Sequence, residues 1–191
     1  MPRLLPPVLS ALDLPPAELS AARLDGELFA LGDGYAPIDA AEDVSCRALS
    51  LCRSLPQRFV AERRTAAWIH GALTVPPAVH EFCVDVEARY RVVTGSGYAT
   101  REVVLSESDV ITIGSLQVTT CRRTVIDLLR MPAFDERTRA RTIRSLAEID
   151  NFSLDSIRTE LTMRRHLPGK LTVIARLDRM LAQPADTRYT S

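Results

Sequence analysis

Two apolar periods alternate along this chain, and the places where one gives way to the other mark its elements. Val79–Val86 repeats every second residue, with His80, Phe82, Val84 and Val86 on one side, which predicts a strand. Tyr98–Leu105 predicts a second, preceded by a flexible Thr94-Gly-Ser-Gly97. Ile111–Ile113 and Leu116–Val118 predict two more, joined by Gly114-Ser115, a pair suited to a tight hairpin turn. Past Val118 the period becomes helical. Thr119 or Thr120 can accept a first-turn N–H, and Val125, Leu128 and Leu129 supply the apolar face.

The same reading covers the rest of the chain. Pro16–Leu24 predicts a short helix, and Leu28–Leu31 with Tyr35–Ile38 a β-hairpin around Gly32-Asp33-Gly34. Asp43 caps a helix running to about Leu55, with Val44, Ala48, Leu51 and Leu55 inward. Glu62–His70 is a further helix, closed by a left-handed Gly71, in which Trp68 reads as a core or interface anchor. Asp135 opens a helix to about Ile149, with Ala140, Ile143 and Ala147 inward. Ser153 opens another with Leu154, Ile157 and Leu161. After Pro168-Gly169 comes a last helix with Leu171, Ile174, Leu177 and Leu181 on its apolar side, and the chain is expected to fray from Gln183. These elements predict an α+β fold, with an antiparallel or mixed sheet covered by helices and a C-terminal helical bundle.

Three stretches carry a family resemblance. Val118-Thr-Thr-Cys-Arg-Arg-Thr-Val-Ile-Asp-Leu128 is similar to the V-T-T-x-x-R-T-x-x-D-L signature of actinobacterial AbiEi-type proteins, the antitoxin half of type IV toxin–antitoxin pairs. A related domain precedes Vsr-like nuclease domains in some bacterial proteins. Arg64-Thr65-Ala66-Ala67 resembles that family's R-T-A-A helix, and Arg165-His-Leu-Pro168-Gly169 its late R-x-x-P-G turn. The three occur in the family's order. The resemblance implies a non-catalytic antitoxin and transcriptional regulator that neutralises a nucleotidyltransferase-like toxin, with or without direct contact, and binds its own promoter DNA, with a homodimer as the expected assembly. It also implies structural roles for Arg64, Thr65, Thr119, Thr120, Arg123, Thr124, Asp127, Pro168 and Gly169. The expected division is residues 1–41 as a reduced winged-helix-like helix and hairpin, 42–183 as the AbiEi-like domain and 184–191 as tail. The family's N-terminal winged helix needs about three helices before its wing. Here prolines at 2, 6, 7, 15 and 16 leave room for one, so this segment reads as a remnant packed on the larger domain.

Charge sharpens the picture. The net charge is zero, yet residues 1–43 hold two arginines against eight acids, whereas 120–191 hold thirteen arginines and the sole lysine against nine acids. Arg137, Arg141 and Arg144 share a helix face, and Arg164, Arg165 and Lys170 follow. These six are the candidates for a nucleic-acid or partner surface, against the alternative of a solvated face paired with Glu136, Glu148 and Glu160. Arg123, Asp127 and Arg130 lie at helical spacing, so the carboxylate can sit between two guanidinium groups as a brace of helix to sheet. Arg122 and Arg123 occupy a helix start, where cations are disfavoured unless Asp127 or an anion compensates.

Other chemistries find less support. The four cysteines form no C-x-x-C pair and the three histidines are scattered, so no metal or cofactor is expected. Asp85, Glu87 and Glu102 could serve a carboxylate-dependent nuclease, but the lysine such a site wants is absent from the strands. No phosphate-binding loop or nucleophile elbow is present. No apolar run approaches a membrane span and the proline-broken start lacks a signal-peptide core, so a cytoplasmic protein is expected, without a membrane partner. The alternatives to the regulator are a protein-interaction module that has lost DNA binding and the nuclease.

Overall fold

Two residues, Val60–Ala61 (β3), form the centre of the main sheet in the computed structural model, which describes residues 6–53, 55–86, 97–163 and 169–182. Ahead of them come α1 (Pro16–Leu24), β1 (Leu28–Leu31), β2 (Gly34–Pro37) and α2 (Val44–Cys52). After them come α3 (Arg63–Ile69), β4 (His80–Asp85), β5 (Tyr98–Val103), β6 (Val110–Ile113), β7 (Leu116–Thr119), α4 (Cys121–Arg130), α5 (Glu136–Ile149), α6 (Leu154–Met163) and α7 (Lys170–Ala182). The five-stranded sheet has the order β5-β4-β3-β7-β6. β3 runs antiparallel to β4 and parallel to β7, β4 runs parallel to β5, and β6 pairs antiparallel with β7. The fold is α+β with a mixed sheet. The periodicity missed β3, because two residues carry no period.

Local chemistry explains most boundaries. Asp43 accepts the Cys46 N–H at 2.7 Å and Asp135 the Thr138 N–H at 2.7 Å, each capping its helix as the sequence indicates. Ser153 Oγ accepts the Asp155 N–H at 3.1 Å ahead of α6. Gly71 takes φ +89°, and the Ala72 N–H reaches back to the Ala67 carbonyl, closing α3 in the left-handed manner. In the β1–β2 hairpin only Gly32-Asp33 forms the turn, while Gly34 lies within β2. Tyr35 there exchanges backbone hydrogen bonds with Leu9, so the N-terminal segment clips onto the hairpin.

Three expectations need correction. α2 ends at Cys52 rather than near Leu55, and Val44 faces solvent instead of the core. β5 stops at Val103, since Ser106 and Asp109 cap each other in a 3-10 turn that redirects the chain. α7 buries Val173, Leu177 and Met180, leaving Leu171 83% exposed and Leu181 on the surface. Both stripes fit a helical period, and contact with α4 and α6 selects between them.

Helix α3 joins two cores. Ala67 packs with the bundle formed by α4 to α7, around Val125, Leu129, Ile143, Ile157 and Leu177. Its neighbours Ala66, Trp68 and Ile69 pack on the sheet with Phe59, Phe82, Val118 and the α2 residues Ala48 and Leu51. Trp68 is 0% exposed, a core residue with the Arg47 guanidinium over its ring at 5.5 Å. Val8, Leu31 and Ala36 belong to that second core, so the helix–hairpin segment packs directly on the sheet side. The Thr94–Ser96 loop and the expected tail lie outside the described residues.

Candidate functional site

The charged layer beside the β7–α4 junction grows out of its local sequence. Thr120 caps α4 by accepting the Arg123 N–H at 3.3 Å. Thr119 and Thr124 share a hydroxyl hydrogen bond of 2.7 Å, pinning strand to helix. One turn on, Arg123 Nε donates to Asp127 Oδ2 at 2.9 Å, and its Nη1 donates to Asp109 at 2.7 Å. Asp127 is 1% exposed and is held by more than the two guanidinium groups expected. Arg130 approaches to 3.9 Å, and Arg101 of β5 donates to it at 3.2 Å.

Arg101 ties that layer to the start of α3. Its Nε and Nη2 donate to the two oxygens of the buried Glu62 at 2.6 and 2.5 Å. Arg64 donates its backbone N–H and its Nε to Glu81, and the Thr65 hydroxyl accepts the Glu81 N–H at 2.8 Å. His70, at the end of the same helix, places Nε2 2.8 Å from the Thr119 carbonyl. The Arg-Thr-Ala-Ala helix and the Val-Thr-Thr strand–helix are therefore stitched together at both ends. Arg63 lies over Glu62 and Glu81 at 3.6 and 3.8 Å, with a left-handed φ of +52° that a non-glycine residue seldom adopts.

Electrostatics in this layer follow from burial and crowding. Burial opposes the charge of Asp109, but hydrogen bonds from Ser106 and the Arg123 guanidinium outweigh it and hold the carboxyl below its usual range. Desolvation and the neighbouring guanidinium groups of Arg101, Arg123 and Arg63 depress Arg130 against the pull of Asp127. Burial, then the nearby Glu62 and Asp127 carboxylates, pushes the Cys83 thiol up. Burial also keeps His70 below its ordinary value, so its imidazole is neutral and donates from Nε2.

The second group of candidates lies on the bundle. Arg137 and Arg141 are exposed on α5, whereas Arg144 is half-buried and donates to the Met180 carbonyl of α7 at 2.8 Å. Lys170 donates to the Thr162 carbonyl at the end of α6. Gly169 takes φ +72° just ahead of α7, and Arg164, Arg165 and Pro168 lie outside the described residues. Arg122, at the start of α4, stacks on Phe152 at 5.0 Å and donates to Ser156 at 3.1 Å, with Glu160 3.5 Å away. Groups on α6 thus offset its position at a helix start, in place of Asp127 or a bound anion.

The strand carboxylates separate. β4 and β5 are in parallel register with Val84 beside Glu102 and Asp85 beside Val103, so Asp85 and Glu102 project from opposite faces of the sheet. Glu87 lies outside the described residues. Among the described residues no group of three His, Cys, Asp or Glu could hold a metal ion, and no helix is long and apolar enough to cross a membrane.

Sequence reasoning missed Glu62, Glu81 and Arg101, whose pairings span the sheet, and also the buried Arg139. For Arg139 a signal was present: it stands four and seven residues before Ile143 and Leu146, on the inward stripe of α5.

No protein-family model matches the chain, and no curated protein matches it. Among solved structures it is similar to the crystal structure of the RV2827C protein from Mycobacterium tuberculosis, at 16% identity and a TM-score of 0.48, over 92% of this chain and 71% of that one.

Proposed function

We propose that this chain is a non-catalytic, AbiEi-like antitoxin that acts as a transcriptional regulator and meets the phosphates of its own promoter through the outer face of α5. The observation that carries the reading is the division of labour among the arginines of that helix. Arg137 and Arg141 lie one turn apart on the solvent side, while Arg139 and Arg144 turn inward to backbone carbonyls. A pair of exposed guanidinium groups on a rigid helix suits sequence-independent backbone contact. The convergence of the Arg64-Thr65 and Thr119–Asp127 stretches into one brace supports the resemblance as one of fold. The separation of Asp85 from Glu102 supports a non-catalytic role. A nucleotidyltransferase-like toxin as partner, a homodimer and a cytoplasmic location belong to the same proposal.

Fluorescence-anisotropy titration against the upstream region of its own gene, with a scrambled duplex and two salt concentrations, tests it. The expected result is specific binding that weakens steeply with salt. Absence of binding at low salt removes the DNA-reading role.

One observation favours the protein-interaction module as second reading. The acidic N-terminal segment exposes Leu12, Leu24 and Ile38, apolar side chains set among carboxylates. Co-purification with a neighbouring gene's product, in the absence of DNA binding, is its signature.

A further inference from the structure

The junction of α4, α5 and α7 holds a cavity of about 130 Å³, and the donors around it are not used up. Arg139 is 1% exposed and donates from Nη2 to the Met131 carbonyl at 2.7 Å. Arg176 donates from Nη1 to the carbonyls of Leu129 and Met131. Both residues thereby serve the open C-terminal carbonyls of α4. Three of their remaining nitrogens, Arg139 Nε, Arg139 Nη1 and Arg176 Nε, are buried without a hydrogen-bond acceptor. Glu136 Oε1 lies 2.5 Å from Arg139 Nη1 and 3.2 Å from Arg176 Nε, so one carboxylate oxygen is the counter-ion of both. At the mouth Arg179 is exposed, its Nε reaching the Ala175 carbonyl of its own helix at 3.4 Å.

Buried donors without acceptors are rare in folded proteins. Here Arg139 and Arg176, which carry them, line one cavity together with Arg179, under an excess of positive charge. Three guanidinium groups face one carboxylate, and that carboxylate sits on an exposed side chain able to swing away. The surplus matches the charge of a phosphate monoester, about −1.5 to −2 near neutral pH, better than that of a singly charged carboxylate or phosphodiester. The volume has room for one phosphoryl group or a few waters.

We infer that the Arg139–Arg176–Arg179 cavity is a binding site for a terminal phosphate, inorganic phosphate or the phosphoryl end of a monoester, with Glu136 as the resident group it displaces. The site is independent of the α5 outer face and stands or falls apart from the promoter reading. Its source is free phosphate or the phosphorylated end of a larger molecule, and the chemistry is common to both.

The test is calorimetric titration of the intact protein with inorganic phosphate at fixed ionic strength, for the wild type, Glu136→Gln and Arg179→Gln. Both substituted side chains are exposed, and circular dichroism confirms that the variants are folded. One phosphate per chain is expected, bound about tenfold more tightly by Glu136→Gln and about tenfold more weakly by Arg179→Gln, the scale of one charged hydrogen-bonding partner. No saturable binding by the wild type or by Glu136→Gln overturns the site, as does an affinity that neither substitution changes. Competition then separates the sources. Displacement by a 5′-phosphorylated oligonucleotide, and not by its 5′-hydroxyl counterpart, supports the site with a nucleic-acid end as ligand. Displacement by neither supports it with free phosphate or a small monoester. Equal displacement by both means that the site reads diester phosphates and overturns the terminal-phosphate assignment.

Discussion

Arg101 and Glu62, from β5 and from the entrance to α3, meet in a two-pronged pair of 2.6 and 2.5 Å across the sheet. Glu62 is almost fully buried, so the pair joins two elements that backbone hydrogen bonding does not connect. Removing only the cation leaves a buried carboxylate without its main partner. Arg101→Met is therefore expected to lose about 3 kcal/mol, whereas the Arg101→Met/Glu62→Met double variant recovers most of that loss. Urea unfolding of both single variants and the double variant decides this. Additive losses would mean that the two residues do not depend on each other.

His70 makes stability depend on pH. Its imidazole is buried and neutral in the folded chain, with a folded value below the ordinary 6.5, while the unfolded chain titrates at the ordinary value. Stability is thus fully present above 6.5 and declines as the pH falls below it, because the unfolded state takes up the proton first. The slope is at most about 1.4 kcal/mol per pH unit for each such group, and His80, depressed by burial as well, adds to it. His70→Gln, which keeps a donor near Thr119, flattens this decline. Matching slopes for variant and wild type would show that His70 is not responsible.

On α5 the expectation concerns salt. Each phosphate contact contributes about 0.9 to the slope of log affinity against log salt concentration, so Arg137→Ala/Arg141→Ala reduces that slope by about two. The effect is the same on specific and scrambled duplexes. An unchanged slope would take the outer face of α5 out of the proposed DNA contact.

Gly34 tests how the N-terminal segment is held. A Cβ there would stand 2.8 Å from the Leu9 carbonyl oxygen and 2.8 Å from Val8 Cγ1, so backbone has to move. Gly34→Ala is expected to cost about 1–3 kcal/mol, the range for overpacking a tight contact. It also opens the segment before α1 to limited proteolysis. Wild-type melting and cleavage patterns in this variant would mean that the Leu9–Tyr35 bridge is dispensable.

The cysteines should separate by reactivity. Cys83 and Cys121 are buried, and burial pushes the Cys121 thiol up to about 12, while Cys46 and Cys52 are half-buried on α2. Titration of the native protein with a chromogenic disulfide reagent is expected to modify the α2 pair and to reach the other two only in denaturant. Rapid modification of all four would contradict this packing.

What the sequence reveals, and what it hides, depends on distance along the chain. The Asp43, Thr120 and Asp135 caps, the Gly114-Ser115 turn and the Arg123–Asp127 pair each involve residues within four positions, where helix or turn geometry fixes what can meet. The Arg101–Glu62 pair joins residues 39 positions apart, and neither carries a local mark of its partner. β3 stayed hidden because its two residues take their strand character from the flanking β4 and β7. Arg139 was legible in part: its place on the inward stripe is periodic, but the Met131 carbonyl it serves lies in the preceding loop.

The placement of that central strand has a consequence for the order in which the molecule can form. Val60–Ala61 pairs on one side with Phe82 and Cys83 and on the other with Gln117 and Val118. Closing the second contact requires a long loop, a step that is entropically unfavourable until many other contacts compensate. During synthesis the sheet therefore has no complete centre until β7 has left the ribosome. Until then β3, paired only with β4, presents an open edge to whatever strand meets it first.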